Sequence, residues 1–137
     1  LESSLSIVYG ENRAEQTPLS FIPQPRVSSQ VTYDFDNNQN RIFSIKNITF
    51  QHQYFANQNR VVLYEIESKN YNLFNLGLNS DLNIKNYKAE LGFGVQNILN
   101  QEYIDHLSAL KNYQIPNPGR NFYLSLKINI NQKNKIR

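Results

Sequence analysis

The side chains that could carry acid–base or metal chemistry are few in this chain and lie far apart. There are two histidines, His52 and His106, and no cysteine, which excludes disulfide bonds, zinc-thiolate sites and cysteine nucleophiles. His106 stands in the string Asp105-His106-Leu107-Ser108. It could bind a metal ion or haem there, although an ordinary surface histidine on an outer loop is the simpler interpretation.

Motifs for catalysis are missing from the sequence as well. It contains no phosphate-binding glycine loop, no G-x-S-x-G string and no H-E-x-x-H string, and each of these patterns serves a known chemistry. We therefore predict that the chain is not an enzyme. We assign it no catalytic residue, no metal site and no cofactor.

Composition narrows the class of protein. The chain has 137 residues, of which 39% are hydrophobic and 18% are charged, and its mean hydropathy is −0.59. No run of about 18 apolar residues occurs, so we expect no membrane-spanning helix. The net charge of +3 is small and scattered, which predicts no nucleic-acid partner.

The chain begins with Leu1 inside a strand-like pattern and shows no targeting signal, so we expect a fragment or a processed product.

Alternation of apolar and polar residues runs through most of the chain. In residues 121–131 every second side chain is apolar, from Phe122 to Ile130. Side chains alternate between the two sides of a strand, so this pattern predicts a strand with one apolar and one polar face. Similar stripes predict strands in residues 71–82, 88–99 and 27–35, and a shorter one that ends at Tyr9.

The segment 41–55 departs from this rule. Its apolar positions begin at Phe43 and Ile45 and then change parity to Ile48 and Phe50. A shift by one residue would turn every later side chain to the other face. We therefore predict a β-bulge near Lys46–Asn47, which would restore the facing.

The connections between these strands alternate in length. Residues 36–40 and 83–86 are short and turn-like, whereas 10–25, 56–70 and 100–119 are long. Six strands joined in this way predict an all-β, antiparallel up-and-down meander, with long loops at one end and short turns at the other. Outer-membrane barrels have this asymmetry.

Two settings could explain the alternation. A soluble sandwich would turn the apolar stripes inward, whereas a membrane barrel would turn them toward lipid. Strands of about 10–12 residues, aromatic residues near the strand ends (Phe55, Tyr71 and Tyr123 among them) and low mean hydropathy favour the barrel. The predicted lipid-facing stripe contains no charged residue and includes Phe74, Leu76, Leu78, Leu91, Phe93, Val95, Phe122, Leu124, Leu126 and Ile128.

Several strings resemble TonB-dependent outer-membrane receptors, near the C-terminal end of their barrel. Residues 95–103 (VQNILNQEY) are similar to the family's G-V-x-N-L-F/L-N/D-x-x-Y segment, and residues 116–124 (PNPGRNFYL) to its P-x-P-G-R-x-F/Y stretch. Residues 18–26 (PLSFIPQPR) resemble a P-L-x-x-I-P-x-x-R string before an earlier strand. Two features differ: the last strand ends at Ile130 without an aromatic residue, and residues 68–70 read SKN where T-P-G is common.

The resemblance implies that residues 1–131 are the C-terminal portion of a barrel of about 22 strands that is plugged by an N-terminal domain. Residues 132–137 would be a polar, basic tail. Such receptors lie in the cell outer membrane and take up a scarce ligand such as a siderophore, haem, cobalamin or an oligosaccharide. The implied partners are outer-membrane lipid, the remaining strands and plug, TonB through the missing N-terminal part, and an extracellular small ligand. A soluble β-sandwich or small-barrel binding module, or a passive barrel pore or adhesin, are the alternatives.

Orientation and local roles follow from the resemblance. The long loops would be extracellular and the short turns periplasmic. We expect Asn97, on the outward stripe, to bond a neighbouring turn, and Pro118 with Gly119 to shape the loop end, the glycine through positive φ. Arg120 would sit at the membrane boundary. A helical turn in residues 103–111 would tuck Leu107 and Leu110 toward the barrel rim. The predicted barrel-shaping residues are Asn97, Tyr103, Pro118, Gly119 and Arg120.

Overall fold

The computed structural model describes residues 1–36, 42–84 and 87–129. In chain order its strands are β1 (Glu2–Ser6), β2 (Glu11–Asn12), β3 (Thr17–Pro18), β4 (Arg26–Asp34), β5 (Phe43–Phe55), β6 (Tyr71–Ile84), β7 (Tyr87–Gln96) and β8 (Asn121–Asn129). A six-stranded sheet has the order β1-β4-β5-β6-β7-β8, and β2 pairs with β3 in a separate hairpin.

Every neighbouring pair in the large sheet is antiparallel. The predicted fold class, an all-β up-and-down meander, is therefore confirmed, and it is consistent with a segment of a β-barrel. Within the described ranges the sheet is open, with β1 and β8 at its edges. The predicted tail 132–137 and parts of the predicted turns at 36–40 and 83–86 lie outside the described residues. No helix in the described part of the chain is long and apolar enough to cross a membrane.

Strand register places the apolar stripes on one side of the sheet. Directly paired residues share a face: Leu124 of β8 lies opposite Phe93 of β7, and Phe93 opposite Leu78 of β6. The row continues through Ile48 of β5 to Tyr33 of β4. We call this side the apolar face. It holds all the positions predicted to face lipid: Phe74, Leu76, Leu78, Leu91, Phe93, Val95, Phe122, Leu124, Leu126 and Ile128.

Much of the apolar face is open. Leu124 is 75% exposed, Phe122 62% and Phe93 47%. A sandwich would bury such side chains beneath a second sheet. The described residues instead bury their few apolar core side chains on the opposite side of the sheet, which we call the polar face.

The β-bulge predicted in β5 is confirmed at Lys46. Ile45 pairs with Ser80, but the next paired residue is Asn47, opposite Asn79. Lys46 is the extra residue, and its carbonyl accepts a 2.9 Å hydrogen bond from the Phe35 N–H. The bulge keeps the apolar residues before and after it on the same face.

Several predicted strand ends were wrong. The first strand ends at Ser6, so Ile7 and Tyr9 lie outside the sheet. The strand predicted to reach Leu99 ends at Gln96. In contrast, β6 continues to Ile84, into the segment predicted as a turn. Alternation in the sequence thus extends beyond the hydrogen-bonded ladder in some places and stops short of it in others.

Some aromatic residues expected at the two membrane interfaces lie on the polar face instead. Phe55 and Tyr71 pair with each other at the end of the sheet where the long loops emerge, and their rings stack 4.5 Å apart. With Leu73 they form the buried hydrophobic cluster of the described chain, against which Tyr103 packs. Their position in the strand explains this difference, because each has the opposite parity to the apolar stripe of its strand.

Tyr123 covers a glycine row on the polar face. Gly77 of β6 pairs with Gly94 of β7, and Gly94 pairs in turn with Tyr123 of β8. A Cβ atom on Gly94 would lie 2.2 Å from Tyr123 Cζ, whereas a Cβ atom on Gly77 would lie 3.4 Å from the tyrosine oxygen. The ring therefore lies directly over Gly94, and the missing glycine side chain makes room for it.

Because of this packing, Gly94 should tolerate an added side chain less well than Gly77. Substitution Gly94→Ala should displace the Tyr123 ring and lower the free energy of unfolding by about 1–3 kcal/mol, as overpacking does. Gly77→Ala introduces only an ordinary contact and is the matched control. Denaturant unfolding of both variants, and of each combined with Tyr123→Ala, measures the coupling. Equal losses for the two glycines would show that the ring does not lie over Gly94.

Candidate functional site

The long connections fold together at one end of the sheet. Gln24 is buried, and its Nε2 atom donates hydrogen bonds to the carbonyls of Ala56 (2.7 Å) and Lys69 (3.0 Å). Gln58 is also buried and donates from Nε2 to the Ile22 carbonyl at 3.0 Å. Segments 7–25 and 56–70 are therefore joined by side-chain amides. We call these two segments together with 97–120 the loop cap.

A buried polar cluster joins segment 56–70 to segment 97–120. His106 is only 3% exposed. Its Nδ1 atom lies 2.7 Å from Lys111 Nζ and 2.9 Å from Ser68 Oγ, and its Nε2 atom lies 3.1 Å from Glu65 Oε1. Lys111 is also buried and donates to the Ile66 carbonyl. The prediction of an ordinary surface histidine was wrong, because both ring nitrogens are engaged inside the loop cap.

These contacts define the protonation state of His106. A lysine ammonium can only donate, so Nδ1 must accept from Lys111, and the proton of the neutral ring sits on Nε2, from which it is donated to Glu65. Burial and the Lys111 charge lower the pKa of His106 below its ordinary value, against the opposing effect of Glu65. His106 is therefore neutral at pH 7, and burial likewise lowers the pKa of Lys111.

Glu65 connects all three parts of the loop cap. Besides His106, its carboxylate accepts from the Phe21 N–H at 3.0 Å and from the Val62 N–H at 3.3 Å. Burial alone would raise the pKa of Glu65, but the two backbone donors and His106 outweigh it, and the pKa is lowered. The same carboxylate closes a turn in which Tyr64 takes a φ of 71°, a conformation that is strained for a residue with a side chain.

Ser68, His106 and Glu65 are arranged in the order of a hydrolase triad, but the geometry does not activate the serine. A catalytic histidine must accept the serine proton, and here Lys111 already donates to that nitrogen. Ser68 is moreover only 6% exposed. Among the residues that the structure describes, no group of three or more His, Cys, Asp or Glu side chains could hold a metal ion. What the cluster does provide is a set of hydrogen bonds that joins segment 56–70 to segment 97–120.

Aromatic stacking supports the same end of the sheet. The Tyr103 ring lies 4.6 Å from the Tyr71 ring, and the Tyr71 hydroxyl donates to Asp105 Oδ2 at 3.0 Å. Asp105 Oδ1 accepts from the Leu107 N–H at 2.9 Å. Burial and the Asp105 charge raise the pKa of Tyr103. Tyr103, one of the predicted barrel-shaping residues, thus fastens segment 97–120 onto the polar face.

Asn97 does not lie on an outward strand position. It is 4% exposed, has a φ of 50° and follows the last residue of β7. Its Nδ2 atom donates to the Gln101 carbonyl, and its Oδ1 atom accepts from the Gln101 N–H, each at 2.8 Å. Asn97 therefore closes its own turn, and the expectation of a bond to a neighbouring turn was wrong.

The loop end predicted at residues 118–120 does not depend on a positive φ at Gly119, which was the expected feature. No glycine in the described ranges has a positive φ. Gly119 matters instead because a Cβ atom there would lie 2.6 Å from Asn100 Oδ1, which accepts a 2.8 Å hydrogen bond from the Arg120 N–H. The side chains of Pro118 and Arg120 are exposed.

The predicted helical turn in residues 103–111 is displaced. A single 3-10 turn covers Lys111–Tyr113. Leu107 and Leu110 are each about half exposed, so the expectation that they tuck against the barrel rim was wrong. Lys111, which sequence reasoning passed over, is the buried residue of this turn. The only signal for it was its position five residues after His106.

A cavity of about 540 Å³ opens beside the buried cluster. Residues 66–71 form one wall and residues 101–104 another, and Lys111 and Gln114 complete the lining. Its walls carry carboxylates, amines, amides and the edges of Tyr71 and Tyr103. It is therefore a mixed polar and aromatic recess at the loop-cap end of the polar face.

Comparison with known proteins establishes the fold. No family model and no curated protein matches the sequence. Among solved structures, the copper transporter OprC is similar, with a TM-score of 0.72 and 22% sequence identity. The match covers 92% of this chain and 20% of that one, so the chain spans about a fifth of the length of that transporter.

The position of Glu65 generates a direct test. Glu65→Ala removes the acceptor for two backbone N–H groups and for His106. Amide hydrogen exchange at Phe21 and Val62 should therefore accelerate by about tenfold or more, because a hydrogen bond to a charged group contributes about 1.5–3 kcal/mol. The neighbouring exposed Glu67→Ala is the control and should leave exchange unchanged. Unaltered protection of both amides in Glu65→Ala would remove Glu65 from its connecting role.

Proposed function

We propose that this chain is the C-terminal part of the β-barrel of a TonB-dependent outer-membrane receptor. The apolar face carries the proposal. It runs across all six strands, and no residue paired in its rows is Asp, Glu, Lys or Arg. A face of this extent that is apolar and open to its surroundings is stable when hydrocarbon covers it.

Strand length agrees with a membrane setting. β5 has 13 residues and β6 has 14, whereas a tilted strand of about 9–11 residues already crosses the hydrocarbon layer. The charged strand residues Asp34, Asp81, Lys88, Glu90 and Lys127 lie on the polar face, where water or protein would solvate them.

The polar face and the loop cap would then enclose the passage and its entrance. In this orientation the loop cap is extracellular, and the cavity beside Tyr103 forms part of the ligand-binding mouth. The ligand is a scarce small molecule, and uptake draws energy through TonB. The partners are outer-membrane lipid, further barrel strands, a plug domain and TonB itself. Residues 1–131 belong to the barrel, and 132–137 form its polar tail.

Two independent lines support this assignment over its rivals. The motif resemblance in residues 18–26, 95–103 and 116–124 is to such receptors, and the fold is similar to that of a transporter of which this chain covers one fifth. The soluble sandwich requires Phe93, Phe122 and Leu124 to be buried, but all are exposed. A passive pore would share the barrel but lack an upstream plug.

Substitutions on the two faces test the assignment in the intact receptor. Leu91→Arg places a charge at mid-strand on the apolar face and should cost about 2–4 kcal/mol in lipid, so that less folded protein reaches the outer membrane. Asn79→Arg, at a similar height on the polar face, is the matched control and should assemble normally. Heat-modifiable migration of outer-membrane fractions measures the folded portion.

Two results would contradict the proposal. One is recovery of the unmodified protein in the soluble fraction without detergent. The other is equal tolerance of both arginine variants, because only a lipid-covered face distinguishes them. Reading the coding sequence upstream separates the receptor from the passive pore, since the receptor requires a plug domain there.

A further inference from the structure

We propose that His106 is a pH-sensitive latch of the loop cap, in which protonation of Nδ1 releases segment 97–120 from segment 56–70. The ring is 3% exposed and has hydrogen-bond partners from both segments. No motif in the sequence indicates this role. Its consequence for ligand access rests on the proposed function, but the latch itself does not.

The geometry around Nδ1 makes the neutral ring a requirement. Lys111 Nζ lies 2.7 Å away and Ser68 Oγ 2.9 Å away. A hydroxyl can rotate and accept, but an ammonium has no lone pair to offer. A proton on Nδ1 would therefore point at another N–H group at hydrogen-bond distance, and Lys111 would have to move away.

The charged groups that face His106 come from both segments. Glu65, from segment 56–70, contacts Nε2 and favours the protonated ring, as does the nearby Asp105 from segment 97–120. Burial and Lys111 act in the opposite direction, and together they prevail. Segment 7–25 contributes the Phe21 N–H, which already occupies the Glu65 oxygen that His106 uses.

Release of Lys111 would alter the cavity. Ser68 and Lys111 both line it, and Lys111 also donates to the Ile66 carbonyl in the opposite wall. Loss of these bonds would separate the walls formed by residues 66–71 and 101–104. Under the proposed function, external acid would thus loosen the ligand-binding mouth and lower the affinity for the ligand.

The direction of the pH effect follows from linkage. The opened state binds a proton on His106 with an ordinary pKa near 6.5, and the closed state binds it only at lower pH. The loop cap is therefore fully closed above about pH 6.5. Its closure weakens as the pH falls from about 6.5 to the lower pKa of the closed state. Within this window the opening constant should rise by about tenfold for each pH unit.

Hydrogen exchange of the intact receptor in detergent micelles measures the opening. Exchange at pH 7.5, 6.5 and 5.5 is corrected for the intrinsic pH dependence of the amide. Peptides from 57–70 and 101–117 should lose protection together on acidification, whereas peptides from β7 should not. His106→Asn supplies an acceptor near Nδ1 that cannot be protonated, and it should abolish the pH dependence.

Two further variants sharpen the test. Lys111→Gln removes the ammonium, so His106 should titrate at higher pH and acid should open the loops less. His52→Asn removes the other histidine of the chain, which lies on the sheet and bonds Asn72, and should leave the response unchanged. Unchanged protection of the wild type between pH 7.5 and 5.5, or a full response in His106→Asn, would overturn the latch.

If His106→Asn does not assemble, the histidine itself can be followed by nitrogen NMR in the wild-type receptor and in Lys111→Gln. The latch predicts a midpoint below the ordinary value in the wild type and a higher midpoint in the variant. A wild-type midpoint at or above the ordinary value contradicts it. None of these readouts involves transport, so a receptor that shows the latch but fails to insert into membranes would contradict the proposed function alone.

Discussion

The separation of the two faces of the sheet is the constraint on which the rest of the structure depends. Because paired residues share a side, the register of five strand pairs must agree for the apolar stripes to join, and one slip would mix the faces. The apolar positions of β5 change parity at Lys46, so without the bulge the residues after it would turn to the other face. Its extra residue preserves the apolar face from β4 to β8, and the same register sets the glycine row beneath Tyr123 on the other side.

The loop cap is held together by different interactions from those that define the sheet. The buried hydrophobic cluster of the described chain is small, comprising Phe55, Tyr71 and Leu73. The long segments are fastened mainly by buried polar side chains such as Gln24, Gln58 and His106, whose hydrogen bonds replace water. Such networks specify one arrangement, but each member becomes costly when its partner is lost or changes charge. His106 is a buried titratable member of this network, so a change in its protonation state would cost it a partner.

Local pattern was sufficient for the strands and insufficient for the loops. Alternation predicted the six strands of the large sheet and the bulge, because each depends on side-chain parity along a few residues. Alternation did not predict the short β2–β3 hairpin, which lies within the segment expected to be a long connection. It failed at strand ends, where the Asn97 side chain ends the ladder by bonding Gln101. It also failed for His106, since Glu65 and Ser68 meet it only after two long segments fold together. The role of Gly119 depends on contact with Asn100, which no glycine pattern encodes.

The face that meets hydrocarbon is the central claim, and spin labelling measures it directly. The chain has no cysteine, so Leu124→Cys and Ser125→Cys place nitroxide labels on neighbouring residues of opposite faces. In lipid vesicles, the label at position 124 should collide readily with membrane-dissolved oxygen and be shielded from a water-soluble nickel complex. The label at position 125 should show the reverse. Equal accessibility at the two positions, or the opposite order, would contradict the account.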